Sequence, residues 1–134
     1  MTAASFALQQ AIFAALGADS GVQALIGARL FDAVPRDATF PYAVLGDDAE
    51  TNWDTATESG SAHVAAIDVW SRGGGHKESK LIADAVRAAL DGAALVPPGQ
   101  TLIGIRYQGA DFAREEDGET YRATLHFRAV MEPQ

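Results

Sequence analysis

Three kinds of residue in this chain could do chemistry: a glycine triplet near a lysine, three histidines, and paired carboxylates. Gly73-Gly74-Gly75, with Lys77, lies between a strand-like run and a helix-like run. Helix-terminal N–H groups and an ammonium placed there could hold a phosphate. The spacing matches neither GxxxxGK(S/T) nor GxGxxG, and no ribose-binding acid follows in register. The triplet therefore reads as a flexible turn, with Gly75 or Ser79 available to cap the helix after it. His63, His76 and His126 have no ligand-type partner at the short spacing of zinc sites, although His63 and Asp68 share one expected strand. Ser59 and Ser61 flank Gly60 without the GxSxG elbow. Asp47-Asp48 and Glu115-Glu116 fall in turn-like stretches that supply no dry cleft to shift a carboxylate pKa. The expectation is no catalytic, cofactor or metal site, and no enzymatic activity.

Composition narrows the class. The 134 residues suit one domain, 1–134, able to bury its own core. Apolar residues make up 48% and charged residues 21%, which argues against wholesale disorder. A net charge of −8 argues against a surface that grips nucleic acid, which needs clustered Lys and Arg. It leaves room for a protein that lets DNA pass without sticking. With no cysteine, disulfides and thiolate metal sites are impossible. The first residues, MTAASFALQQAIFAALG, lack a basic n-region and read as a poor signal peptide. No run approaches a membrane span, and no membrane partner is expected.

The elements that must position these residues follow from periodicity. Ser5 to Leu16 reads as a helix with Leu8, Ile12 and Leu16 on one side, Thr2 or Ser5 at its start and Gly17 closing it. Asp19 or Ser20 caps a short second piece in which Val22, Leu25 and Ile26 share a side and Gly27 ends it. Leu30–Val34 and Tyr42–Gly46 are short strand candidates separated by Pro35 and Pro41. Residues 47–62 carry five acids and no base, a long exposed loop or an extended hairpin. Trp53 stands alone among them, either folded back on the core or packed on a partner subunit.

His63 to Trp70 is a strand with no cleanly polar face, hence central or covered by another subunit. Leu81, Ile82, Ala85, Val86, Ala89 and Leu90 form the stripe of an amphipathic helix. Thr101–Phe112 is a strand with Ile103, Ile105 and Tyr107 on one face. Asp117-Gly118 signals a hairpin turn. In the last strand Tyr121, Ala123, Leu125, Phe127, Ala129 and Met131 alternate with Thr120, Arg122, Thr124, His126 and Arg128. The fold class is α+β: a largely antiparallel sheet of about five strands packed against two main helices.

Three runs, taken together, resemble one family: VP…FPY…GDD, VWSR…G…K…I…V…AL and the late DGE…FR. The chain is similar across nearly its whole length to small phage proteins of the tail-completion or tail-terminator type, which also occur in gene transfer agents. The resemblance implies a structural virion protein that forms a ring, usually a hexamer. Such a ring caps the tail tube and joins it to the head connector. Its implied partners are copies of itself, the tail-tube protein and the head–tail connector or adaptor. DNA passes through without specific binding, and assembly takes place in the bacterial cytoplasm.

On that reading Trp53, Trp70, Arg72 and Lys77 are candidate subunit or tube contacts, in two loops expected at one sheet edge. Asp47, Asp48, Glu50, Asp54 and Glu58 are a candidate acidic lumen or ring-contact loop, since like charge would repel DNA phosphates. The alternatives are a head–tail adaptor or a tail-tube protein of the same particle. A more distant alternative is a small-molecule-binding α+β domain, because fold alone does not set function.

Overall fold

A computed structural model describes residues 3–57 and 59–134, so Thr2 and Glu58 lie outside the described residues. The elements run α1 (Ala4–Ala18), α2 (Ser20–Ile26), β1 (Leu30–Phe31), β2 (Tyr42–Asn52), β3 (Ser61–Ser71), α3 (His76–Leu90), β4 (Gln100–Arg114) and β5 (Tyr121–Pro133). The strands form one sheet in the order β1-β2-β3-β5-β4. Every pairing is antiparallel except the two-residue β1–β2 contact. This is the expected α+β sheet, with β3 central. Its helices lie on one face only.

The alternation in β5 fixes that face. Tyr121, Ala123, Leu125, Phe127, Ala129 and Met131 are all buried. They share a face with Ala65, Ile67 and Val69 of β3, through pairs such as Ile67–Leu125 and Ala65–Phe127. Over them pack Leu8, Ile12 and Leu16 of α1, Val22 and Ile26 of α2, and Ile82, Val86 and Leu90 of α3. Each fully buried Leu, Ile or Phe contributes roughly 1.5–3 kcal/mol relative to exposure. Most of the fold's stability therefore sits in this single layer.

Several expectations are corrected. Gly17 lies inside α1, which runs on to Ala18. The N-cap of α1 is Ala3, with no side-chain cap, so Ser5, inside the helix, does not cap it. In α2 the cap is as expected: the Val22 N–H donates to Asp19 Oδ2 at 2.9 Å, and Gly27 (φ 57°) ends the helix. Leu25 faces solvent. In α3 the buried positions Ser79, Ile82, Ala83, Val86 and Leu90 step by three and four, which leaves Leu81 about 100° off the stripe and exposed. Gly75 stands at the N-cap without a side-chain bond, and Ser79 is buried in the first turns.

The strands also differ from their expected bounds. Leu30–Val34 shrinks to Leu30–Phe31, while β2 extends six residues past Gly46 to Asn52. Residues 47–62 are thus an extended hairpin, with only the tip outside the ladder. In β4, Ile105 is buried but Ile103 is half exposed. Register shifts at Leu102/Gly104 and Tyr107/Gly109 insert extra residues, and each one reverses the parity of the strand.

Candidate assembly surface

The candidate contact residues fall at opposite ends of β3. Trp53 precedes the strand, while Trp70, Arg72 and Lys77 lie at or beyond its other end. Eleven residues separate the two ends, roughly 33 Å of extended chain. The two loops therefore do not share one sheet edge.

At the Arg72 end the candidates are knitted into their own chain. The Arg72 guanidinium lies 4.3 Å from the centre of the Phe40 ring. Its Nε–H donates to Thr120 Oγ1 at 2.9 Å, with Asp117 and Glu119 carboxylates at 3.8 and 3.7 Å. Asp117 accepts from the Thr120 hydroxyl and from the N–H groups of Glu119 and Thr120. These bonds, led by the one from Thr120, hold its carboxyl below the usual carboxylate range. Arg72 thus ties the β3–α3 loop to the segment before β2 and to the β4–β5 turn. Trp70 pairs with Tyr42 on one side and carries Arg122 over its ring at 5.5 Å. Burial pushes the Tyr42 phenol up. Lys77 is exposed and lines a shallow groove with Leu25, Gly73 and Leu81.

The glycine loop begins against a carboxylate of its own chain. Ser71 Oγ accepts from the Gly73 N–H at 3.1 Å and donates to Glu78 Oε1 at 2.6 Å. A Cβ on Gly73 would sit 3.0 Å from that same carboxylate. The negative charge of Glu78 beside Gly73 works against an anion in this loop.

At the other end the β2–β3 arm is acidic and open. Asp47, Asp48, Glu50 and Asp54 are exposed. Trp53 is 42% exposed and covers Gly60, where a Cβ would lie 3.1 Å from the indole. The Gly60 N–H donates to Asp54 Oδ1 at 3.0 Å, closing the tip. At the root of the arm His63 is 2% exposed, with Nε2 2.8 Å from Ser61 Oγ and Nδ1 3.8 Å from Glu50 Oε1. Burial lowers its pKa, against the opposing pull of Glu50 and Asp48. Sequence reading missed this buried histidine, although its parity with Ala65, Ile67 and Val69 was the available signal.

The sheet face away from the helices is bare of helices, although Tyr42, Ala62 and Val130 on it are buried. Across it Asp68 Oδ1 accepts from the Thr124 hydroxyl at 2.6 Å. His126 lies 3.5 Å from Asp111, and Arg122 3.4 Å from Glu115. One row is different: Ala49, Val64, Arg128 and Arg106 stand side by side on β2, β3, β5 and β4. Among the described residues no three metal-ligating side chains converge.

Comparison with known proteins gives the family. Residues 10–132 match the family described as tail completion protein gp17. A chain in a structure described as the virion of a native gene transfer agent (GTA) particle is 34% identical. The match covers 98% of this chain and 99% of that one, with a TM-score of 0.91. The gp17 protein of bacteriophage SPP1 is 24% identical over 94% of this chain and 89% of its own, with a TM-score of 0.62, a likeness of fold. No curated protein matches the sequence.

Proposed function

The chain belongs to the tail completion protein gp17 family, and from that premise we propose that it closes into a ring, a hexamer, between tail tube and head connector. It is a structural tail-completion protein of a virion tail. The observation that carries the ring is the match, over 98% of the chain, to a subunit of an assembled gene transfer agent particle. A bare sheet face and an acidic arm give such a subunit two unlike surfaces. Unlike surfaces join head to tail, and head-to-tail contacts whose rotation closes make rings. The net charge of −8 lets the genome slide through the ring, because like charges in a channel disfavour sticking.

Within this ring Trp53 and Lys77 are the candidate contacts left most open, while Trp70 and Arg72 act as braces of the subunit that presents them. The acids Asp47, Asp48, Glu50 and Asp54 belong to the arm that meets the lumen or a neighbour. Glu58 carries the same assignment from sequence. Electron microscopy of the purified protein tests the reading. Single closed rings are expected. Filaments of indefinite length would overturn it in favour of a tail-tube protein, and persistent monomers would overturn it outright. In particles, neutralising Asp47, Asp48, Glu50 and Asp54 together should impair tail joining or DNA delivery. Normal titre and delivery would remove the arm from the function.

A further inference from the structure

Arg106 and Arg128 face each other directly across the β4–β5 ladder on the bare face. Like charges directly opposite in an antiparallel pair are destabilising. The neighbours in the same row, Val64 and Ala49, supply no compensating acid. Arg106 turns off the sheet to its edge, where Nε lies 3.6 Å from Asp91 Oδ1. Arg128 is left exposed, with no carboxylate in ion-pair range among the described residues. The other charged rows of this face are answered within the chain, by Asp68–Thr124, Asp111–His126 and Glu115–Arg122. Beside Arg128, Val64 is 41% exposed. The surface is cationic with an apolar border.

The same molecule carries the complement. Residues 47–62 hold five acids and no base, and Trp53 stands 42% exposed next to Asp54. The arm cannot serve its own arginines: Asp48 and Glu50 pair with Ala65 and His63 on the helix-covered face, whereas Arg106 and Arg128 share the opposite face with Val64. We propose that the Arg106–Arg128 row of one subunit receives the acidic β2–β3 arm of a second copy of this chain. Asp54 lies against Arg128, and Trp53 rests on the apolar border at Val64. The inference rests on the ring reading and specifies its contact.

Charge reversal tests it in native mass spectrometry and electron microscopy. Arg128→Glu and Asp54→Arg should each lose the ring while staying folded by circular dichroism. Arg128→Glu should also raise the melting temperature of the isolated subunit, because it replaces a like-charge pair by an opposite one. Mixing the two single variants should restore rings with alternating subunits, since every contact then pairs opposite charges. Wild-type rings that Arg128→Glu leaves intact would overturn the contact and spare the ring. If that variant instead keeps its ring but loses retention of duplex DNA, the row is a phosphate contact and the proposal fails. Loss of rings that mixing does not restore would overturn the Asp54 pairing. A wild-type chain that never forms rings sinks both readings.

Discussion

The two faces of the sheet solve different problems with the same strands. The helix-covered face is apolar throughout β5, from Tyr121 to Met131, and excludes water. The bare face carries Trp70, Asp68, Arg122, Thr124, His126 and Arg128, on alternate residues of the same strands. Asp68, His126 and Arg122 have partners within the chain, whereas Arg128 has no carboxylate in ion-pair range among the described residues. The difference teaches that stability and assembly are divided between faces. Burial on one side tolerates an unfavourable pair on the other, because the cost of one exposed pair is small beside a buried layer.

Substitutions on the two faces can break or sharpen this contrast. Phe127→Ala should cost about 3–5 kcal/mol in urea unfolding, the usual loss for a buried aromatic. A loss below about 1 kcal/mol, the scale expected of surface positions, would mean that the covered face is no firmer than the bare one. Asp68→Ala should cost about 1 kcal/mol by removing the acceptor of the Thr124 hydroxyl. An unchanged midpoint would show that the bare face draws nothing from that bond.

His63 is buried on the covered face, unlike His76 and His126. Its pKa is lowered from 6.5, so above that value it is neutral in both folded and unfolded chains. As the pH falls below 6.5 the unfolded chain takes the proton first, and stability drops through the lowered value. His63→Gln should flatten that acid limb in thermal melts. An acid limb that persists unchanged would assign the loss to other groups. Arg122→Ala on the bare face should cost only about 0.5 kcal/mol, the scale of an exposed cation–π contact, read by the same urea titration.

Local signals carried well where one strand or turn decided the outcome. The alternation of β5, the Asp117-Gly118 turn (Gly118 φ 75°) and the Asp19 cap were all legible, because each depends on a few adjacent residues. Ile103 misled for the opposite reason. Its parity is counted correctly along the sequence, but Ile103 is itself the residue inserted between Leu102 and Gly104 and drops out of the ladder. Leu81 misled because a hydrophobic stripe wide enough to include it exceeded what the sheet could cover. The extent of β2 was illegible, since Asp47 to Asn52 is polar and becomes a strand only by pairing with β3.

The sequence by itself determined the α+β class, the inward set of β5, the acidic arm and the family. Each rests on residue order or composition alone. The tertiary structure decided which residues meet. It placed Trp53 and Arg72 at opposite ends of β3, put Glu78 against the glycine loop, and set Arg106 opposite Arg128. Register is a pairing between distant segments, so the spacing within either strand cannot reveal it.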